Sequence, residues 1–197
     1  ILQIASQQWL MSESKILQGD FLKTDFQKII EPQFAIIGNF PYNISSQIIF
    51  KVLENKVRIP LLVGMFQREM AQRIVAHHGN RDYGIISIFT QAYYHAEYLF
   101  SVDATKFLPM PKVQSAVIRL KAKRPEKDWD EELFRKIVKL AFNQRRKKLC
   151  NAVASLNGAP AVLEKNKWAD LRAEALSVED YIQFTLDMQN EKGINNG

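Results

Sequence analysis

An α/β fold with a mostly parallel sheet closed by an antiparallel hairpin-like pair, followed by a small all-helical portion, is predicted by three observations. Short apolar runs of strand length alternate with segments of helical periodicity from residue 15 to residue 91. The run Phe34-Ala35-Ile36-Ile37 is apolar throughout, as a parallel strand covered on both faces would be, and it runs into the turn Gly38-Asn39-Phe40-Pro41-Tyr42. Beyond a charged stretch at 121–130 that contains Pro125, the remaining segments have helical spacing. The chain has 197 residues, 47% hydrophobic and 24% charged, enough for one domain and a smaller second one. The expected division is an α/β domain at 1–121, a linker at 122–130 and a helical domain at 131–197.

The elements follow in order. Residues 1–11, with Leu2, Trp9 and Leu10 apolar, read as the remnant of a helix. Lys15-Ile16-Leu17-Gln18 reads as a short strand closed by Gly19-Asp20, and Asp25–Ile30 as a short helix. After strand 34–37, Ser45-Ser46 offers N-cap side chains to a helix from about 45 to 55. Leu61–Phe66 is a further buried strand, and Gln67–Ala76 a helix carrying Arg68 and Arg73. Tyr83-Gly84 opens a helical segment, Ile85–Gln91. Tyr93–Val102 and Ser115–Leu120 alternate as strands, and loop 103–114 holds two prolines that exclude regular structure. In the last part, Glu131–Asn143 has Leu133, Ile137, Val138, Leu140 and Ala141 on one face. Leu149–Leu156 continues the helical pattern, Asn157-Gly158-Ala159-Pro160 breaks it, and Leu163–Leu171 reads as a weak helix. Ser177-Val178-Glu179-Asp180 signals the start of a final helix to about Met188.

Composition narrows the chemistry. No apolar run reaches the ~18 residues of a membrane span. The lone Cys150 excludes an internal disulfide and a cysteine-based metal site, and it reads as a small packed residue. His77, His78 and His95 have no metal-ligand spacing with carboxylates, so no metal is expected; His77-His78 reads as a helix end in solvent. A net charge of +6 and a pI near 9.4 favour a polyanionic partner.

The turn 38–42 lies at the carboxyl end of a strand, where open α/β sheets bind ligands. Asn39 offers a flat amide, Pro41 a carbonyl without an accompanying N–H, and Tyr42 an aromatic face. Two acceptors beside a stacking ring suit a planar ring with an exocyclic amine, such as adenine. A proline turn over a buried tyrosine explains the same residues equally well. Asp20, just past a strand end, reads first as a helix N-cap. Arg145-Arg146-Lys147-Lys148 reads either as a solvated helix end or as a phosphate contact, its four cations sharing one helical turn.

Three stretches in order, each at a strand end or loop, join these readings. They are Gly19-Asp20-Phe21, Asn39-Phe40-Pro41-Tyr42-Asn43-Ile44-Ser45, and Phe107-Leu108-Pro109-Met110-Pro111-Lys112-Val113-Gln114-Ser115. Tyr83-Gly84, Phe142-Asn143-Gln144-Arg145-Arg146-Lys147 and Arg172-Ala173-Glu174-Ala175-Leu176-Ser177 accompany them. Together they closely resemble the KsgA-type small-subunit ribosomal RNA adenine-N6,N6-dimethyltransferases, over about residues 14–188. Met110 departs from the family, which usually has proline there; Pro109 and Pro111 still hold the loop extended.

The resemblance implies a Rossmann-like, S-adenosyl-L-methionine-dependent methyltransferase sheet with a small all-helical carboxyl-terminal domain that binds rRNA. It implies dimethylation of N6 of two adjacent adenosines in the 3′-terminal hairpin of 16S rRNA during ribosome biogenesis, by a cytoplasmic monomer with no membrane association. Asp20 would accept from the cofactor adenine amine, Phe21 would flank that ring, and Asn39 would border the cofactor. Asn39 and the Pro41 carbonyl would hold the target amine, with Tyr42 and Phe107 stacking on either side of its base. Arg145, Arg146, Lys147, Lys148 and Lys112 would meet RNA, with Arg68, Arg73 and Lys121 extending that surface.

In this family a glycine-rich turn and an acidic residue on the first two strands hold the rest of the cofactor. The strand order 3-2-1-4-5-7-6 would place those strands between Ile16-Leu17 and Phe34–Ile37. Neither is present and the chain does not begin with Met, so a fragment lacking its amino-terminal part, inactive by itself, is expected. Two rivals remain: the related large-subunit rRNA methyltransferases that confer macrolide resistance, which share the Asn-hydrophobic-Pro-Tyr turn, and a non-catalytic RNA-binding assembly factor. The Asn-Gln-Arg-Arg-Lys block favours the small-subunit class over the first, and the intact Asn39, Pro41, Tyr42 and Phe107 disfavour the second.

Overall fold

A computed structural model describes residues 19–28, 32–123 and 129–194. The chain divides into two compact units, 1–32 and 33–197. In the first, two short 3-10 turns stand at Phe21–Lys23 and Phe26–Lys28. Asp25 accepts from the Gln27 N–H at 3.0 Å, which closes a turn where a short helix was expected. Phe21 meets Phe26 edge-on, with centroids 5.5 Å apart. The expected helix 1–11 and strand 15–18 lie outside the described residues.

The second unit is built on four strands: β1 (Ala35–Asn39), β2 (Leu61–Gln67), β3 (Tyr94–Val102) and β4 (Ser115–Ala122). Their order is β1-β2-β4-β3, which reproduces the 4-5-7-6 half of the expected order. The β1–β2 pair is parallel, whereas β4 runs antiparallel to both β2 and β3. Among the described strands the expected antiparallel closing pair is β3–β4, and the sheet is mixed, with one parallel and two antiparallel pairs. The cause is β4: it returns through loop 103–114 and inserts between β2 and β3, so both its neighbours run against it.

Helix α1 (Ser45–Glu54) follows β1 and buries Ile48, Ile49, Val52 and Leu53, a stripe at helical spacing. Helix α2 (Arg68–Val75) begins at the very end of β2, where the Arg68 N–H donates to the Gln114 carbonyl at 2.9 Å. Helix α3 (Ile85–Tyr93) leads directly into β3. Leu62 and Phe66 of β2 and Ala116, Ile118 and Leu120 of β4 are completely buried at alternate positions, the period that puts successive side chains on opposite faces. On β1 only Ile36 is buried; Ile37 is 78% exposed, against the expectation that both faces of this strand are covered. The apolar run could not distinguish a strand covered twice from one covered once.

The helical part comprises α4 (Glu131–Asn143), α5 (Leu149–Ala152), α6 (Ala159–Lys165) and α7 (Val178–Ile194). Asp130 caps α4 by accepting from the N–H groups of Glu132 and Leu133, both at 2.9 Å. The predicted start of α7 is built as a reciprocal cap: Ser177 Oγ accepts from the Asp180 N–H, and an Asp180 oxygen accepts from the Ser177 N–H. Two expectations fail here. The break falls at 153–158 rather than 157–160: α5 stops at Ala152, Gly158 turns left-handed at φ 86°, and Pro160 already sits in the first turn of α6, where its missing N–H has no helical partner to lose. The Leu163–Leu171 helix ends instead at Lys165, and Lys167 turns left-handed at φ 60°.

Aromatic rings join the helical part to α3. Phe89 meets Phe134, Tyr93 meets Trp129, and Tyr83 meets Phe142, with centroids 5.7–6.2 Å apart. Burial pushes the Tyr93 phenol up to about 12, with the nearby Glu131 carboxylate adding to the effect.

Candidate active site

Asn39 is the last residue of β1 and stands in register with Met65. Its side chain is exposed, and the amide makes no hydrogen bond among the described residues. Phe40 does the opposite: it is buried, and its ring lies across the sheet on Gly38 and Gly64, which are direct partners in the parallel ladder. A Cβ at Gly64 would fall 2.5 Å from the Phe40 ring, so the glycine pair is what lets the ring lie flat on the strands. Phe66 flanks it, with centroids 5.1 Å apart. The turn is thus pinned from below by one aromatic ring, and Asn39 and Pro41 are held up on either side of it.

After Pro41 the chain makes a 3-10 turn, Tyr42–Ile44, that runs straight into α1. This overturns one expectation. Ser45 is already the first residue of α1 and does not cap it; its Oγ–H donates to the Tyr42 carbonyl at 3.0 Å and to the Pro41 carbonyl at 3.3 Å. The Pro41 carbonyl also accepts from the Ile44 N–H at 3.3 Å. That oxygen therefore already takes two long contacts from its own turn, one of them from a hydroxyl that lies closer to the Tyr42 carbonyl. Pro41 also adds a ring on the pocket wall and a φ of −60° that starts the turn.

Asn39, Phe40, Pro41, Tyr42, Phe107, Pro109 and Pro111 line one pocket of about 340 Å³. This is near the lower end of the ~300–1,000 Å³ of small-molecule sites. The structure therefore brings the Asn39–Tyr42 turn and the Phe107 loop together, from positions some 65 residues apart in sequence. Loop 103–114 opens with a 3-10 turn, Ala104–Lys106, capped by Asp103, whose carboxylate the Thr105 N–H holds below its usual pKa. Phe107 ends that turn and is half-buried.

Sequence reading missed the device that holds Tyr42. Its hydroxyl is hydrogen-bonded to Oγ of Ser115, which is completely buried at the start of β4. Ser115 was visible only as the end of a motif. Tyr42→Phe and Ser115→Ala should each lower the activity of this pocket by a similar factor, and the double variant by no more than either alone. Contacting residues couple in this way. A double-mutant cycle on initial rates checks it, and additive losses would show that the bond does not act through the ring.

Asp20 behaves as the N-cap its residue type predicts: one carboxylate oxygen accepts from the Leu22 N–H at 2.9 Å. The other oxygen lies 4.0 Å from Lys23 Nζ at an exposed site and keeps acceptor capacity.

The basic block is not a helical turn. Helix α4 ends at Asn143, residues 144–147 form a turn, and Lys148 is extended in a single bridge to Arg172. Arg145 pairs with Glu174 at 3.4 Å, and Lys148 with Asp170 at 2.7 Å, a hydrogen bond that raises the lysine pKa. Arg146, Lys147 and Lys112 are exposed and make no ion pair among the described residues. The block divides into two paired cations, Arg145 and the still exposed Lys148, and two without an ion pair among the described residues, a division that charge spacing could not reveal.

Residues 2–190 match the sequence profile of ribosomal RNA adenine dimethylase. The chain belongs to the ribosomal RNA adenine dimethylase family. Ribosomal RNA small subunit methyltransferase A of Cytophaga hutchinsonii is 49% identical over 171 residues, which is 86% of this chain and 66% of that relative. The chain thus spans just under two thirds of the length of this relative. A dimethyladenosine transferase from Plasmodium falciparum has the same fold at a TM-score of 0.77, with 24% identity over 90% of this chain and 72% of the other. The 23S rRNA methyltransferase ErmE superposes at 0.65, with 23% identity over 88% and 71%. The architecture is accordingly the Rossmann-like methyltransferase fold with a helical carboxyl-terminal part. The pocket residues and the 144–148 turn all fall inside the stretch that matches the adenine dimethylase family.

Proposed function

We propose that the protein dimethylates N6 of two adjacent adenosines in the 3′-terminal hairpin of small-subunit rRNA, using S-adenosyl-L-methionine, during ribosome biogenesis in the cytoplasm. The observation that carries this reading is the pocket lined by Asn39, whose amide has no hydrogen bond among the described residues, together with Tyr42 and Phe107, in a chain of the adenine dimethylase family. The small-subunit name of the 49% identical relative supports that target over the large subunit.

The residues present suit the cofactor. Asp20 retains an acceptor oxygen for an adenine amine, and Phe21 supplies an apolar ring beside it. When bound, S-adenosylmethionine supplies an electrophilic methyl on a sulfonium.

The chain's own work is orientation. An adenine amine is a weak nucleophile because its lone pair is conjugated with the ring. Asn39 Oδ1, accepting one amine hydrogen, draws the nitrogen toward tetrahedral geometry and aims its lone pair. Tyr42 and Phe107 hold the base flat between them; such stacking contributes roughly 1–3 kcal/mol per base, comparable with the few kcal/mol needed to unstack it. No strong base is required before attack, because the amine proton becomes acidic once nitrogen is alkylated, and positioning supplies most of the rate. Arg146, Lys147 and Lys112 would meet phosphates, and binding would weaken as salt rises.

The test is methyl transfer to unmethylated small subunits by the full-length protein. Two methyls per target adenosine are expected. Transfer to large subunits alone would assign the macrolide-resistance chemistry, and binding without transfer would leave an assembly factor.

A further inference from the structure

The pocket has an apolar lip that its chemistry does not use. Leu108 follows Phe107 and is 100% exposed; Met110, two residues on, is 65% exposed. Large apolar side chains this open at the edge of a pocket lose free energy in water unless something covers them. Pro109 and Pro111 stiffen the segment, so the two side chains stand out from a loop with little freedom to fold them away. Lys106 and Lys112 bracket it, both exposed and neither ion-paired among the described residues. The sequence Lys-Phe-Leu-Pro-Met-Pro-Lys thus sets an apolar point between two free cations beside a pocket of base-sized walls.

We infer that Leu108 is a wedge: it enters the base stack at the place an adenosine leaves when it turns into the pocket, while Lys106 and Lys112 hold the flanking phosphates. The inference rests on the function proposed above. A base that leaves its stack exposes the faces of its neighbours to water, and an apolar side chain inserted there recovers that contact. Leu108 suits the task because it is rigidly carried and touches nothing within its own chain that it must abandon. Met110 lies on the same lip and covers the outer neighbour. The lysines act differently, since a phosphate contact positions the RNA without distinguishing stacked from extruded bases.

The experiment compares the full-length protein with Leu108→Ala, Leu108→Met, Lys106→Ala and Lys112→Ala on unmethylated small subunits. It reads kcat and KM, together with the chemical reactivity of the target adenosine's base edge in the bound complex. The wedge predicts that Leu108→Ala lowers kcat by about tenfold or more while KM changes little, because unstacking follows docking. The adenosine should also stay protected in that complex, and Leu108→Met should recover most of both signals. Each lysine variant should raise KM and reduce the salt dependence by about one unit of slope with kcat kept. Since Leu108 is fully exposed, its truncation leaves the fold intact. Unchanged kcat and reactivity in Leu108→Ala, or a rise in KM alone, overturns the wedge and leaves the proposed function standing. No transfer by the unaltered protein removes both.

Discussion

Asn39→Ala is expected to lower methyl transfer to unmethylated small subunits by about 100-fold or more, the usual scale for removing one preorganised hydrogen-bonding group from a reacting centre. The thermal midpoint should not move. Asn39 sits at the open end of β1, and its amide holds nothing else in the described structure. A polar side chain at a strand end that supports no neighbour is placed for a ligand. Pro41 strengthens the expectation, because its carbonyl is already shared between the Ile44 N–H and the Ser45 hydroxyl. The amide of Asn39 therefore bears more of the amine's orientation than a pair of equal acceptors would. Asn39→Asp, which keeps an oxygen in place, should retain more activity than Asn39→Ala. Initial rates and melting curves on the same preparations check both statements; full activity in Asn39→Ala would remove the residue from the mechanism.

Gly64→Ala should damage the same reaction from below the pocket. The added Cβ would stand 2.5 Å from the Phe40 ring and 2.8 Å from the Phe66 ring. Real side chains do not approach so closely, and both rings are buried, so neither has open space to move into. Overpacking of this kind costs about 1–3 kcal/mol. The larger consequence is for geometry: Phe40 must lift, and the neighbours it carries in sequence are Asn39 and Pro41. Activity should therefore fall further than stability does. Shortening the ring in the double variant Gly64→Ala/Phe40→Leu should restore a good part of the lost activity. Denaturant midpoints and transfer rates for the single and double variants decide it. A Gly64→Ala protein with native rates would mean that the ring does not set the turn.

Much of this site can be read along the chain. The Asn39–Tyr42 turn is as well explained by a proline turn when taken alone, and the motifs at 19–21 and 107–115 are what tip it toward an adenine site. The cap at Ser177–Asp180 and the buried stripe of α4 follow from local spacing alone. Readings failed where a group's partner lies elsewhere. Ser45 looked like a cap because serine before an apolar helical stripe usually is one; the 3-10 turn ahead of it moved the helix start forward by a residue. The four cations at 145–148 looked equivalent until Glu174 and Asp170 claimed two of them. Gly64 is an ordinary strand glycine in the sequence, and becomes part of the site only because Gly38 stands beside it in the ladder.

By itself, the sequence determined the family, the alternation of strands and helices, and the identity of the groups that can hold and stack an adenine. These follow from residue type and near-neighbour spacing, which the chain carries locally. Only the tertiary structure decided which of those groups are open and which are occupied. Asn39 makes no hydrogen bond among the described residues, whereas the Pro41 carbonyl already accepts two long ones. Arg146 faces solvent while Arg145 is paired, and Tyr42 is tethered to a serine 73 residues away. The reason is physical: a donor's or acceptor's availability depends on what the fold brings within about 3 Å of it, and that neighbour is seldom adjacent in the chain.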